Sequence, residues 1–177
     1  FQPELRRLLI YVGQTRFFQT IFRVGTSRTI VSIVEAATQL KERHWGGLIV
    51  IQRETGLRSY KDQGTQLKAE VTAPLLVSIF NPSSPLHDGA VIIQNDIIDA
   101  AACILPLTES TMIDPDMGTR HLAALGISEE TDAIVVLISE EKARISVAED
   151  GRFAHIGMDD IALRKYLNDR MFIASGD

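Results

Sequence analysis

Short runs of β-branched and apolar residues, each the length of one strand, alternate along this chain with segments of helical periodicity. "GGLIVIQ" is one such run, "AVIIQ" and "IIDAAACIL" are joined by the two-residue link "ND", and "AIVVLISE", "ARISVAE" and "RFAHIG" come later. A short Asn-containing link between apolar runs is typical of an antiparallel hairpin. Helices before, between and after such strands predict an α/β fold, with a mixed, mostly antiparallel, twisted sheet flanked by helices.

The helical segments are placed by their caps and by the spacing of their apolar residues. A first helix is expected to begin near Pro3, and Ser27 can cap a second helix whose apolar residues recur up to Leu40. Thr72 opens a short third helix, and a last helix covers roughly Asp159 to Arg170. No strand is predicted in the long polar stretch between "GGLIVIQ" and Thr72.

Length and composition predict a single domain over residues 1–177. The chain has 177 residues, 45% of them hydrophobic and 23% charged, which is enough for one substantial core and short for two. Residues 1–24 are interpreted as a helical lead-in. Residues 150–177 are interpreted as a less strongly patterned C-terminal strand and helix.

Charge and cysteine content exclude some classes of function. The net charge of -5 argues against nucleic-acid binding, because such proteins usually carry a basic surplus that neutralises phosphates. The single cysteine, Cys103, lies in an apolar run, so we expect an intracellular protein with a buried, unreactive thiol. No apolar run approaches the ~20 residues of a membrane span, so this part of the protein is expected to be soluble.

The segment "SSPLHDGAVII" places His87 and Asp88 side by side, ahead of Gly89, where an apolar strand begins. Asp-Gly is a common turn dipeptide, because glycine tolerates positive φ and aspartate can bond its own backbone. The alternative is that Asp88 is held there to bind a metal. Taken alone, the segment leaves both interpretations open.

The segment "MGTRHLAAL" begins a helical pattern with two basic residues, Arg120 and His121, just after Gly118 and Thr119. Cations at a helix N-terminus oppose the macrodipole and cost stability unless an anion sits there. Free N–H groups, a hydroxyl and a guanidinium together form a cradle for phosphate. The alternative is an ordinary Thr119 cap with two solvated neighbours.

Ser139, Glu140 and Glu141 follow "AIVVLI", the most strongly patterned of the predicted strands. Many α/β folds bind their ligands at strand ends and in the loops that follow. A solvated acidic turn is the alternative interpretation.

Six separated motifs together resemble the diadenylate cyclase domain family, in the order that this family uses. They are "FQPELRR", "GGLIVIQRETGL", "SIFNPSSPLHDGAVII", "ACILPL", "GTRHLAALGISEETDA" and "VLISEE". The resemblance runs from Phe1 to about Val147 and fades after Glu149. Because the opening segment is similar to the membrane-tethered branch of the family, we expect a transmembrane anchor upstream of this chain and a location at the cytoplasmic face of the membrane.

The resemblance implies that the chain condenses two ATP molecules into cyclic di-AMP and releases two pyrophosphates. It implies that Asp88 handles the metal and the attacking 3′-hydroxyl, with Gly89 as a second catalytic residue that lets ribose or phosphate approach the backbone. Leu105 would lie against the adenine base. The ATP-binding residues that it implies are Gly89, Ala90, Leu105, Gly118, Thr119, Arg120, His121, Ser139 and Glu140, and the implied metal ligands are Asp88, His87 and Glu141.

The chemistry of the implied reaction requires a divalent cation and favours a dimer. Attack on an α-phosphate requires neutralised charge and a stabilised leaving group, so a divalent cation with oxygen ligands is expected: Mn²⁺ or Mg²⁺, with Co²⁺ as an alternative. The product joins two identical nucleotides by two identical linkages, so we expect a face-to-face homodimer with one ATP in each chain. The resemblance fixes neither the preferred ion nor the identity of any regulatory protein partner.

Leu122 stands where the family has a second arginine, so the segment reads Arg-His-Leu. Losing a charged phosphate donor costs ~1.5 to 3 kcal/mol if the contact forms in the family's way. Lys142, Arg144 or an arginine of the partner chain are candidates to replace it. Two alternatives remain open: a nucleotide-binding regulatory module with weakened catalysis, and a metal-dependent phosphohydrolase built on His87 and Asp88.

Overall fold

Seven strands and five helices make up the part of the chain that the structure describes. The computed structural model describes the backbone of residues 16–173 and the side chains of residues 28–171. The helix expected near Pro3 lies outside these residues. The helices are α1 (Arg16–Glu42), α2 (Arg58–Lys61), α3 (Ala73–Ile79), α4 (Thr119–Glu130) and α5 (Asp160–Ile173). The strands are β1 (Gly47–Ile51), β2 (Thr65–Glu70), β3 (Ala90–Gln94), β4 (Ile97–Cys103), β5 (Ile134–Ser139), β6 (Arg144–Glu149) and β7 (Arg152–Met158).

The strands form one sheet in the order β2-β4-β3-β1-β5-β6-β7. Only the β1–β3 pair is parallel, and the five other pairs in this part of the chain are antiparallel. The mixed, mostly antiparallel α/β fold is therefore confirmed. β1 and β5 are buried along their whole length, as expected for strands covered by helices on both faces.

Alternate side chains of each central strand feed two separate cores, because successive residues of a strand point to opposite faces. Ile49 and Ile51 of β1 pack with α1, α3 and α5, while Leu48 and Val50 pack with α4 and with Leu57 beside α2. The molecule is thus a three-layer sandwich, and α4 alone among the longer helices lies on the second face.

The hairpin predicted at "ND" is confirmed. β3 and β4 pair antiparallel across Asn95 and Asp96, whose φ values of 47° and 67° are those of a type I′ turn. The turn is tied to the rest of the molecule, because the Thr29 hydroxyl donates a 2.6 Å hydrogen bond to the Asp96 carboxylate. The short helix after Thr72 is also present, with the Thr72 hydroxyl accepting from the Leu75 amide.

Ser27 does not begin a helix, contrary to the prediction. It lies inside α1, which runs without interruption from Arg16 to Glu42. A serine caps a helix only where the preceding chain leaves helical geometry, and the residue type alone does not force that departure.

The sequence also failed to predict β2 and α2 within the polar stretch after β1. β2 is an edge strand whose side chains are exposed or half-buried, so it lacks the apolar alternation that marks a buried strand. Its pairing with β4 shifts register between Gln66 and Ala69, next to Lys68 with φ of 54°. An edge strand with an interrupted register leaves little trace in a hydrophobicity pattern.

Candidate active site

Five chain segments that bear polar residues meet at one end of the sheet. Because β1 and β3 are parallel, both begin at this end, and the antiparallel strands β4 and β5 both finish there. The N-terminus of α4 reaches the same end. Together they enclose a cleft of about 820 Å³. The predicted site residues that line it are Asp88, Gly89, Leu105, Gly118, Thr119, Arg120, His121, Ser139, Glu140 and Glu141.

Asp88 is exposed in the cleft, on a backbone that is tightly held. Gly89 follows it with φ of 118°, where a side chain would be strained, and a Cβ there would lie 2.7 Å from the Ala102 carbonyl carbon. The absence of a side chain at Gly89 is therefore required by its packing on the end of β4. Whether the same feature admits a nucleotide stays a prediction.

Two residues predicted for the site do not place their side chains in the cleft. Ala90 is fully buried and packs in the core beneath α4, because the strand alternation turns it away from the surface, so only its backbone is left for a nucleotide. His87 is half-buried outside the cleft lining, and its Nδ1 lies 2.7 Å from the Ser84 carbonyl oxygen. A carbonyl only accepts, so Nδ1 donates and the ring is held by its own loop.

The tip of α4 has the geometry of an open anion site. Gly118 is the N-cap, with extended φ and ψ, and no side chain caps the first turn. Thr119 is therefore the first helical residue, so the alternative of Thr119 as an ordinary cap does not hold. No acidic residue occupies this turn, which leaves the positive end of the helix dipole facing the cleft beside Arg120.

Arg120 and His121 differ in how they contribute charge. The Arg120 Nη1 lies 3.3 Å from the Glu140 carboxylate, and its Nε is buried without a hydrogen-bond partner among the described residues. Burial lowers the pKa of His121, and the nearby Lys142 ammonium lowers it further, against an opposing effect of Glu141. The permanent positive charge at the α4 tip thus comes from Arg120.

The Ser-Glu-Glu segment follows the end of β5 into the cleft. Ser139 is the last residue of the strand, and its hydroxyl oxygen accepts from the Lys142 amide at 3.3 Å. Glu140 and Glu141 are exposed and both line the cleft. The segment is thus a solvated acidic turn and, at the same time, a wall of the site.

Apolar side chains form the remaining wall, and the sequence analysis singled out only one of them. Leu105 is almost buried, whereas its neighbours Ile104 and Leu107 keep about half or more of their surface exposed. Leu48 and Leu137 contribute from β1 and β5. Their position at the ends of predicted strands was the signal that could have found them. An apolar wall opposite a charged helix tip suits a molecule with a flat base and an anionic tail.

Leu122, the departure from the family pattern, lies outside the cleft lining. Its side chain is half-buried, and its carbonyl oxygen accepts a 3.0 Å hydrogen bond from the Thr108 amide. Lys142 and Arg144 were the residues considered as substitutes for the missing charge at position 122. Neither of them lines the cleft.

The carboxylates of the cleft provide the oxygen donors that hard divalent cations prefer. Within residues 28–171, however, no three His, Cys, Asp or Glu side chains lie close enough together to hold an ion by themselves. Asp88 and Glu141 therefore fit a metal only as part of a ligand set.

Cys103, as expected, is buried, and burial raises the pKa of its thiol to about 11. Among the described residues no helix combines the length and apolar character needed to cross a bilayer.

Comparison with known proteins gives consistent matches. The family model DAC, described as "DisA bacterial checkpoint controller nucleotide-binding", matches residues 34–153. The cyclic di-AMP synthase CdaA of Bacillus subtilis is 45% identical over 170 residues, which are 94% of this chain and 62% of that protein. A diadenylate cyclase of Listeria monocytogenes is 44% identical over 156 residues, 85% of this chain and 56% of that protein. The chain thus spans about three fifths of the length of these curated relatives.

Solved structures agree with the fold. DacA from Staphylococcus aureus, crystallised as a double mutant, superposes with a TM-score of 0.79 at 41% identity, over 81% of this chain and 95% of that one. A hypothetical membrane spanning protein from Bacillus cereus superposes with a TM-score of 0.69 at 48% identity, over 72% of this chain and 63% of that one. The chain belongs to the DAC family, the diadenylate cyclase domain family that its motifs predicted.

Proposed function

We propose that this chain is the catalytic domain of a metal-dependent diadenylate cyclase, which joins two ATP molecules into cyclic di-AMP and releases two pyrophosphates. The observation that carries the proposal is the position of Asp88 and the α4 tip on one cleft, although they lie some thirty residues apart in the sequence. A lone Asp-Gly turn or a lone basic helix start would not create such a site. The names of the relatives and the match to the family model support the same activity.

Each wall of the cleft has a task in this reaction. Adenine packs against Leu105 and the exposed apolar residues beside it, which exclude water from one face of the base. The triphosphate extends to the α4 tip, where backbone amides and Arg120 neutralise its charge. Ser139 supports the turn that carries the two glutamates. The ribose then lies toward Asp88.

The chemical step is an in-line displacement at phosphorus. The 3′-hydroxyl oxygen of one ATP bonds to the α-phosphorus of the other, the bond from that phosphorus to pyrophosphate breaks, and the hydroxyl proton passes to Asp88 or to solvent. Asp88 and Glu141 would hold a divalent cation together with phosphate oxygens, and such a cation supplies charge neutralisation at the α-phosphate and the leaving group. Mn²⁺, Mg²⁺ and Co²⁺ all accept this oxygen-rich ligand set.

Cyclisation requires the same step twice, so two chains face each other and each presents its ATP to the other. The cleft opens at the end of the sheet, and exposed apolar residues at its rim, Ile104 and Leu107, are suited to burial by a second copy or by the base. The full protein is proposed to hold this domain at the cytoplasmic face of the membrane through a segment upstream of Phe1.

The regulatory-module alternative depends on Leu122. Arg120 and the open N-terminus of α4 still supply positive charge to this cleft without a contribution from position 122. We therefore favour the active enzyme. The phosphohydrolase alternative needs several metal ligands around His87 and Asp88, and within residues 28–171 no three His, Cys, Asp or Glu side chains lie close enough together to form such a cluster.

The test is mass spectrometry of the products formed from ATP with Mn²⁺ or Mg²⁺. Cyclic di-AMP and pyrophosphate are expected. Bound ATP without any product would favour the regulatory module, and free phosphate or AMP without dinucleotide would favour the phosphohydrolase. Either result would overturn the proposal.

A further inference from the structure

The backbone conformation of Gly46 does not explain why this position is occupied by glycine. It lies between the end of α1 and the start of β1, and it is buried. The positive-φ glycines of the described residues are Gly89, Gly151 and Gly157, so Gly46 has a conformation that other residues can adopt. The reason for glycine at position 46 must therefore lie in the space beside it.

That space is filled by the guanidinium of Arg120. A Cβ added at Gly46 would lie 2.6 Å from Nη1, 2.8 Å from Cζ and 3.2 Å from Nε of Arg120. These separations are too short for non-bonded atoms. On another side of the same group, the Glu140 carboxylate lies 3.3 Å from Nη1. The buried Nε, which has no hydrogen-bond partner here, lies within this contact with Gly46.

The sheet explains why these three residues meet. β1 and β5 are antiparallel, and Gly47 at the start of β1 pairs with Ile138 near the end of β5. The residue before β1 and the residue after β5, Gly46 and Glu140, are thus brought to the same edge. Arg120, in the first turn of α4, reaches between them.

We propose that Gly46 is a positioning residue, whose missing side chain sets where the Arg120 guanidinium stands in the phosphate-binding wall of the cleft. This inference rests on the proposed function only in taking the anionic ligand to be a triphosphate. The Glu140 carboxylate holds the guanidinium at this place until phosphate oxygens replace it as the partner.

The geometry predicts an uncommon consequence for Gly46→Ala. The atoms that the new methyl group meets belong to the far end of a long, flexible side chain and not to backbone, so Arg120 moves and the fold does not. Nucleotide binding should therefore weaken while stability is kept. A glycine with a purely structural role would show the reverse.

The experiment compares Gly46→Ala with Gly56→Ala, a matched control whose added Cβ has nothing within 4 Å. The probe is 3′-deoxy-ATP, which lacks the attacking hydroxyl and is not turned over, with its Kd measured by calorimetry. We expect Kd to rise by at least about fivefold in Gly46→Ala, and to stay within about twofold of wild type in Gly56→Ala. Both unfolding midpoints should stay within about 2 °C of wild type. An unchanged Kd in Gly46→Ala would overturn the inference.

The same substitution in an Arg120→Lys background identifies the contact responsible. A lysine keeps the charge but lacks the branched guanidinium that the methyl group would meet. The fold-loss of affinity caused by Gly46→Ala should therefore be at least about threefold smaller in that background. An equal loss in both backgrounds would show that Arg120 is not the group displaced.

The NMR signal of the Arg120 Nε–H group gives a readout that needs no nucleotide. Gly46→Ala should shift this signal in the free protein, and Gly56→Ala should leave it in place. An unshifted signal would contradict the contact itself. Failure of the wild-type protein to bind 3′-deoxy-ATP, with the signal still shifted, would count against the proposed function alone.

Discussion

At the scale of single residues, the cleft combines an exposed carboxylate on a tightly held backbone with a cation held by its neighbours. The backbone next to Asp88 is fixed by Gly89, because the positive φ of this residue and its close approach to the end of β4 leave no room for a side chain. Arg120 is held between Gly46 and Glu140. The fold itself thus places the Asp88 backbone and the Arg120 guanidinium, and such preorganisation lowers the cost of arranging charged groups in the proposed reaction.

Asp88→Asn is expected to keep the fold and to reduce cyclic di-AMP formation by at least about a hundredfold, because the amide neither takes up a proton nor binds a cation well. The side chain is exposed, so unfolding temperature should not change. Product is measured by mass spectrometry. Asp160→Asn, which removes an exposed carboxylate outside the cleft, is the control, and normal turnover in Asp88→Asn would refute the assigned role.

The lowered pKa of His121 allows us to predict how the stability of the protein depends on pH. Its pKa in the folded protein is lowered by burial from the ordinary value of 6.5, so below that value the unfolded chain binds more protons than the folded one. Stability is therefore lost as pH falls from 6.5 through the lower, folded-state pKa. The pKa values of Asp99 and Asp132 are lowered from 3.8, so the stability that these two carboxylates contribute is lost only in more acidic solution.

The measurement is the unfolding midpoint of wild type and His121→Asn at about pH 7.5 and about pH 5.5. The variant should lose less stability on acidification than wild type does. His155→Asn, at an exposed position on β7, should behave as wild type. A wild-type loss that persists in full in His121→Asn would contradict the assignment to this ring.

At the scale of elements, polar pairs fasten the parts of the fold that lack apolar surface. Asp99 on β4 is almost buried and accepts from Lys61 of α2 at 2.9 Å and from Lys68 of β2 at 3.0 Å. Burial raises the pKa of Asp99, but the hydrogen bonds from the two lysines outweigh that effect and leave its pKa below the usual value. One carboxylate thereby joins α2 and the edge strand β2 to the sheet.

Asp99→Asn should destabilise the protein by about 1 to 3 kcal/mol, because two ammonium groups lose their counter-charge and one of them is nearly buried. The effect should be concentrated in α2 and β2, whose amides would exchange with solvent faster. Urea unfolding and hydrogen exchange measure the two effects. Lys165→Ala, which breaks an exposed pair with Asp169, should change stability by less than about 0.5 kcal/mol. Equal destabilisation by both substitutions would remove the special role of Asp99.

At the scale of the whole molecule, the sheet order decides where chemistry occurs. One parallel pair, β1 with β3, places the Asp88 loop beside the start of β1, and the antiparallel neighbours deliver the ends of β4 and β5 to the same place. α4 covers that face and aims its N-terminus at the cleft. One chain therefore carries one cleft with one set of these groups.

A face-to-face dimer predicts a specific outcome for mixed chains. Specific activity of the wild type should rise with protein concentration and then saturate. In an equimolar mixture of wild type and Asp88→Asn, mixed dimers can complete only one of the two linkages. The linear dinucleotide that keeps one triphosphate should then accumulate, and mass spectrometry would detect it. A mixture that yields only cyclic product, at half the wild-type rate, would contradict catalysis by paired chains.

The sequence by itself determined the local structure. The β3–β4 hairpin, the buried strands and the Thr72 cap follow from residues close together in the chain, and so did the three polar segments at Asp88, Arg120 and Ser139. Such features depend on turn chemistry and on side-chain periodicity, which are local properties. The sequence failed at Ser27, where the residue type alone does not end the preceding helix, and at β2, an edge strand without an apolar alternation.

Only the tertiary structure decided which of these segments form a site. The parallel pairing of β1 with β3, the meeting of Asp88 with the α4 tip on one cleft and the contact of Gly46 with Arg120 all join residues distant in the sequence. No local pattern encodes such a contact, because it is stabilised by the packing of the whole sheet and its helices rather than by the residues that make it.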